Sequence, residues 1–190
     1  MRVHAQSIPD VKLISLRRFV DQRGFFSETY NKAALAECGI AAEFVQDNLS
    51  LSNSRFTLRG IHFQTGAFAQ GKLVHVLRGA VLDVFVDLRP QSPTFMQHGL
   101  VELSADNWTQ LWIPRGFGHG FCTLVDDTMF AYKVDAPYST THEAGIIWND
   151  PDLNVAWPCA ETAVTLSDKD AQLPRLSDIS SHLDEWFRGL

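Results

Sequence analysis

The chain has 190 residues, 45% of them hydrophobic and 20% charged, with a net charge of -6. That composition suits one folded domain over residues 1–190 and excludes disorder, while the acidic balance excludes general nucleic-acid or anionic-membrane binding, which need basic surfaces. Cys38, Cys122 and Cys159 are widely spaced and form no CxxC pair, and the N-terminus MRVHAQSIPDVKLI has no apolar leader, so a reducing, cytoplasmic location is expected.

In chain order, Val11 to Phe19 is expected as a short strand. Asp21-Gln22-Arg23-Gly24 reads as a turn into Phe25 to Tyr30, an alternating run that carries Glu28 among aromatics. Asn31 is placed to cap a short helix, Lys32 to Cys38, which Gly39 ends. Phe44 to Ser50 returns to strand, with Gln46, Asp47 and Asn48 either reading a base edge or forming a solvated face.

The stretch from Leu58 to Arg89 carries most of the chemistry. In Arg59-Gly60-Ile61-His62-Phe63-Gln64, alternation puts His62 and Gln64 on one face and Ile61 and Phe63 on the other. Strict alternation would separate Arg59 from His62, but Gly60 permits a bulge that re-aims one of them. Lys72 to Leu77 alternates again, and Arg78-Gly79 reads as a hairpin turn into Val81 to Asp87. That hairpin would set Leu77 opposite Ala80 and Val74 opposite Asp83, with Lys72 diagonal to Asp83.

Further strands are expected at Gly99 to Leu103, Trp108 to Ile113, Phe121 to Val125 and Met129 to Val134, for about nine short β runs in all. Turn signals separate them every ten residues or so, the pattern of a sandwich or barrel rather than of alternating strands and helices. Tyr138 to Trp157 reads as loop, Ser167 to Asp170 as a polar cluster, and Ser177 as the cap of a final helix to Arg188 with Ile179, Leu183 and Phe187 as its apolar stripe.

Pro114-Arg115-Gly116-Phe117-Gly118-His119 resembles the second motif of the cupins, double-stranded β-helix barrels. Their first motif uses His-x-His with a glutamate to hold a metal, whereas this chain has His62-Phe63-Gln64, so no metal is expected. His62, Lys72, Asp83, His119, Tyr132 and Asp170 instead suggest proton transfer. A histidine near neutral pH takes a proton, a cation stabilises the developing enolate, and a tyrosine returns a proton from the other side. Taken singly, each has a plainer reading: a hydrogen-bonded interior histidine, a structural Lys72–Asp83 ion pair, a core tyrosine beside Phe130 and Val134.

Several ordered motifs then point one way: DQRGFF from Asp21, QDN-x-S from Gln46, LRGIHFQ from Leu58, QGKLV from Gln70, DVFVDLR from Asp83, QLWIPRGFGHGF from Gln110, GIIWNDP from Gly145 and LSDKD from Leu166. Together they resemble the dTDP-4-dehydrorhamnose 3,5-epimerase family over nearly the whole chain. Two positions depart from that family's pattern: Gly118, where alanine is expected, and Ile61, where leucine is common.

The resemblance implies an all-β, cupin-like jelly-roll barrel with a few short peripheral helices, working as a homodimer without metal or cofactor. It implies His62 as base, oriented by Asp170, Tyr132 as acid, Lys72 as the enolate-stabilising cation, and Asp83 as a supporting group. Arg59 and His119 would hold the diphosphate and sugar, and Tyr138 would stack on thymine. Arg23, Glu28, Gln46, Asp47, Asn48, Glu143 and Lys169 would line the rest of the pocket. The substrate would be a dTDP-linked 4-keto-6-deoxyhexose, inverted at C3 and C5. The alternatives are an enzyme that inverts one carbon or isomerises the ketone, and a non-catalytic nucleotide-sugar-binding barrel, which would have no use for His62, Asp170, Tyr132 and Lys72 together.

Overall fold

A computed structural model describes residues 1–190. Its strands are β1 Arg2–Ala5, β2 Lys12–Ser15, β3 Phe19–Asp21, β4 Gly24–Phe26, β5 Gln46–Ser52, β6 Leu58–Gln64, β7 Lys72–Arg78, β8 Ala80–Asp87, β9 His98–Ser104, β10 Thr109–Ile113, β11 Phe117–Thr123, β12 Thr128–Val134 and β13 Glu143–Gly145. They form a six-stranded sheet, β1-β2-β10-β7-β12-β5, a five-stranded sheet, β13-β6-β11-β8-β9, and the small hairpin β3-β4. All named strand pairs are antiparallel.

The two large sheets pack face to face as a jelly roll because alternate residues on each are apolar. Val74 and Val76 of β7, Leu111 and Ile113 of β10 and Phe130 of β12 meet Val81 and Phe85 of β8 and Phe117 and Phe121 of β11. Burying each side chain of this kind contributes about 1.5–3 kcal/mol. Outside the five-stranded sheet, Ile61, Phe63, Val84 and Val86 lie under Leu176 and Ile179 of the short helix α2 (Leu176–Ile179), Leu183 of α3 (Leu183–Trp186) and Phe187, which ends α3. Outside the six-stranded sheet, Leu35 of α1 (Lys32–Glu37) covers Ile14, Leu73 and Trp112. The Asn31 side chain caps α1 by accepting from Ala34 N at 3.1 Å.

Several expectations are corrected. Arg78-Gly79 is not a hairpin: β7 pairs with β10 and β12, while β8 pairs with β9 and β11, so the chain crosses between sheets at Gly79. Val74 therefore lies opposite Leu111 and Tyr132, and Asp83 opposite Phe121 and Val101. A tight turn fixes chain reversal but not which edges the strands join, and both strands bury their inward residues better against opposite sheets. Lys72 and Asp83 still face one another, across the sandwich rather than along one sheet.

The expected Val11 to Phe19 strand is split between β2 and β3, Phe25 to Tyr30 keeps strand pairing only to Phe26, and the glycine motif before Phe121 is already strand from Phe117. The supposed loop from Tyr138 contains β13. The final helix is broken by a 3-10 turn at Ser180–His182, and its first turn is capped at Arg175, whose N–H donates to the Asp178 carboxylate at 3.0 Å, and not at Ser177.

Candidate active site

Between the sheets lies a cavity of about 280 Å³. β6 supplies its first wall. His119 pairs with His62 and Phe121 with Arg59, so three steps on β6 match two on β11, and the extra residue turns both Arg59 and His62 toward the cavity. Gly60 makes this feasible: its φ is +112°, and a Cβ there would meet His119 O at 2.6 Å. Ile61 and Phe63 point the other way into the helix-covered core.

Asp170 reaches His62 from a strap that follows β13. Its Oδ1 accepts a hydrogen bond from His62 Nε2 at 2.5 Å, and its Oδ2 accepts from Ser167 Oγ at 2.9 Å. Burial alone would raise the Asp170 pKa, but His62, the Ser167 hydroxyl and the Gly60 N–H outweigh it and hold the carboxyl below its usual value. An ionised acceptor fixes the proton on Nε2, which leaves Nδ1 as the nitrogen able to take a proton from a substrate.

Lys72 enters from β7 in the opposite sheet, and its Nζ donates to His62 O at 3.3 Å. Burial lowers its pKa to about 8, partly opposed by Asp83 and Glu143. Behind it, His119 Nε2 and Asp83 Oδ2 are 2.9 Å apart and both buried. Burial pushes Asp83 up and His119 down, each toward its uncharged form, against their mutual attraction. Asp83 Oδ1 is buried without a hydrogen-bond partner, and its carboxyl feels the charges of His119 and, more weakly, Lys72.

Tyr132 of β12 also lines the cavity, packed 6.2 Å centroid to centroid from Phe130. Burial raises its pKa, with Arg59 opposing and Glu143 adding to the effect, so its hydroxyl holds a proton through the neutral range. At the mouth, the Glu143 carboxylate accepts from Tyr138 OH at 2.7 Å and from Lys169 Nζ. Burial would raise Glu143, but these two partners hold it below its usual value.

Of the residues singled out in the sequence, His62, Lys72, Tyr132, Asp170, Arg59, His119, Tyr138, Glu143 and Lys169 meet in this one cavity. Six do not line it, Asp83 among them, which stands behind His119. Gln46 and Asn48 lie on the inner face of β5 beside it, with Asn48 opposite Tyr132 and bonded to Gln46 at 2.8 Å. Asp47 points to the outer face, where it pairs with Lys133 at 2.6 Å, as strand alternation requires. Arg23 is exposed on the β3–β4 hairpin and bonded to Asp21, and Glu28 follows that hairpin, also exposed. Sequence reasoning missed Ser167, although Ser-x-x-Asp is itself a signal: the Asp170 N–H donates back to Ser167 Oγ at 3.1 Å. It also missed what Gln64 does, whose amide oxygen accepts from Ser139 N at 2.9 Å and so anchors the loop that carries Tyr138. No group of three or more His, Cys, Asp or Glu side chains is arranged to hold a metal ion.

Residues 5–178 match the family model described as dTDP-4-dehydrorhamnose 3,5-epimerase. The chain is 48% identical to the dTDP-4-dehydrorhamnose 3,5-epimerase of Sinorhizobium fredii, covering 94% of this chain and 91% of that one. It superposes with a TM-score of 0.89 and 50% identity on the crystal structure of that enzyme from Bacillus anthracis with TDP and PPi bound, covering 92% of this chain and 99% of the other. For the dTDP-6-deoxy-D-glucose-3,5-epimerase of Legionella pneumophila in complex with dTDP-4-keto-L-rhamnose, the TM-score is 0.91 at 43% identity, with 96% of each chain covered.

Proposed function

The chain belongs to the dTDP-4-dehydrorhamnose 3,5-epimerase family, and from that premise we propose how its own residues invert C3 and C5 of dTDP-4-dehydro-6-deoxy-D-xylo-hexose to give dTDP-4-dehydro-L-rhamnose. The C4 ketone acidifies the C–H bonds on both sides of it. His62 Nδ1 removes the proton while Asp170 holds the ring and stabilises the imidazolium. The Lys72 ammonium stabilises the enolate oxygen. Tyr132 delivers a proton to the opposite side of the planar enolate, which inverts the carbon. A shift of the ring repeats the cycle at the second carbon. Product and substrate are isomers, so no redox cofactor enters the balance.

One observation carries this reading: the base and its carboxylate stand on one sheet's side of the cavity, and the tyrosine and the buried lysine come from the other sheet. A planar intermediate held between them meets a base on one face and an acid on the other. Arg59 and His119 are the groups for the diphosphate and sugar, with Lys169, Glu143 and Tyr138 at the mouth for the nucleotide end, Tyr138 against thymine. Gln46 and Asn48 extend the site along β5.

The same reading takes residues 1–190 as one epimerase domain in the cytoplasm, paired about a two-fold axis. Support for the pairing comes from apolar side chains left uncovered on the β3–β4 hairpin and on the outer face of β5 and β7: Phe19, Val20, Phe25, Phe26, Leu49 and Leu77. Covering them with a second copy would also bring Arg23 and Glu28 to a neighbouring pocket, which accounts for their distance from their own. Sedimentation as a monomer at micromolar concentration counts against it.

Turnover in heavy water tests the activity. Deuterium should enter at both C3 and C5. Incorporation at one carbon only would make the enzyme a mono-epimerase, and none at either would leave a binding barrel.

A further inference from the structure

Cys122 and Cys159 stand apart from the proton-transfer site yet touch the segment that completes it. Cys122 is fully buried on β11, on the side facing away from the cavity, in an apolar cluster with Leu58 and Trp148. Cys159 is half-buried on the strap that packs over this cluster. Their sulfurs are 4.0 Å apart, although the residues are separated by 37 positions. The strap is fastened before Cys159, where Trp157 Nε1 donates to Trp148 O at 2.7 Å, and after it, where Leu58 N donates to Thr165 O at 3.0 Å and Thr165 N to Phe56 O at 2.9 Å. Between those anchors the backbone of residues 158–164 hydrogen-bonds only within itself, from Ala163 N to Ala160 O. Side chains hold that segment to the rest of the fold, through the exposed Asn149 Nδ2 to Glu161 Oε1 bond at 3.2 Å and the packing of Cys159 and Val164. This leaves its backbone able to give the roughly 2 Å that brings the sulfurs to the ~2.05 Å of a disulfide.

We propose that Cys122 and Cys159 are a reversible modification site, a thiol pair that a hydroperoxide closes into a disulfide, tying the strap that leads to Asp170 onto the strand that carries His119. The half-exposed Cys159 meets the oxidant first: its thiolate attacks one peroxide oxygen, the O–O bond breaks, and the hydroxide that leaves takes up a proton to become water. This gives a sulfenic acid beside Cys122. Burial pushes the Cys122 thiol up to about 12, so it reacts as a thiol. Its sulfur attacks the Cys159 sulfur as its proton passes to the departing hydroxyl; the S–O bond breaks, the S–S bond forms and a second water leaves. Two thiols lose two electrons in all, and one hydrogen peroxide becomes two waters. A dithiol reductant reverses the change.

The test is stoichiometric hydrogen peroxide on the full-length protein, followed by non-reducing digestion and mass spectrometry. The expected product is one peptide pair joined through Cys122 and Cys159 within a single chain, with Cys38 still free. Closing a loop of this length should raise the unfolding temperature by roughly 5–10 °C, reversibly with dithiothreitol. Cys159→Ser should abolish the shift. In Cys122→Ala the Cys159 sulfenic acid should persist and be trapped by dimedone. Oxidation of Cys159 to sulfinate in the wild type without a cross-link, or a cross-link that leaves the unfolding temperature unchanged, overturns the proposal.

Discussion

A Cβ placed on Gly118 would lie 2.6 Å from Ile61 Cγ2 and 3.2 Å from Leu88 Cδ1. Gly118 and Ile61 are the two motif positions at which a different residue is expected from the sequence, alanine and leucine, and the Ile61 side chain packs against the bare face of Gly118. The missing methyl on β11 leaves room for the β-branched side chain on β6, next to the bulge that aims Arg59 and His62. Gly118→Ala alone should therefore cost about 1–3 kcal/mol from overpacking, while Ile61→Leu alone should cost less than about 1.5. The double variant should be more stable than the sum of the two by at least ~0.5 kcal/mol, measured by urea unfolding of the four proteins. Strict additivity would mean that the contact is relieved elsewhere.

Lys72 must be protonated to stabilise an enolate, and its pKa is lowered to about 8. The pH profile of kcat/KM should therefore fall as pH rises past about 8, and Lys72→Met should lose roughly 10²- to 10³-fold in kcat at neutral pH. Stability runs the other way. From about 8 up to the ordinary lysine value of 10.5, the folded chain has released this proton while the unfolded chain still holds it. The unfolding free energy should thus climb with pH across that window, by roughly 3 kcal/mol for this group. Lys72→Met should lack that climb; parallel stability curves for the two proteins would reject the assignment.

Asp170→Asn keeps the shape of the side chain and removes its charge. The amide can offer an N–H to His62 Nε2 and so move the ring proton to Nδ1, the nitrogen required as base. Substrate exchange with solvent should fall by roughly 10²- to 10⁴-fold with nucleotide binding retained. A loss confined to KM would instead mark Asp170 as a binding group.

Tyr132→Phe deletes one hydroxyl from a packed ring, so stability should change little. The variant should still exchange substrate protons with solvent, because His62 and Lys72 remain, while the inverted product forms far more slowly. Equal loss of exchange and inversion points to a binding role, and loss of neither returns Tyr132 to the core it shares with Phe130.

Strand identity was legible wherever polar and apolar residues alternate, and it placed His62 and Gln64 correctly against Ile61 and Phe63. Gly60 was legible too, since a glycine between two functional residues on one strand signals a bulge. The partners of each strand were not. Arg78-Gly79 has the local chemistry of a hairpin, and nothing within a few residues records that β7 and β8 belong to different sheets. Lys72 and Asp83 thus meet across the sandwich and not along a hairpin. Period-two alternation separates Asp47 from Gln46 and Asn48, so those three adjacent polar residues cannot serve one face. β13 has three residues, too few to show a period. The position of Asp170 beside His62 came only from the family resemblance, because a loop-borne residue carries no periodic signal.

His62 and the carboxylate that orients it are 108 residues apart, and this distance has a consequence during synthesis. On the ribosome, every strand from β1 to β12 emerges before the strap that carries Asp170 has been made. A nascent chain can bury its inter-sheet apolar residues while its histidine is still unrestrained. A product cut short before Ser167 would lack both the carboxylate that holds the His62 ring and the helices that cover Ile61, Phe63, Val84 and Val86.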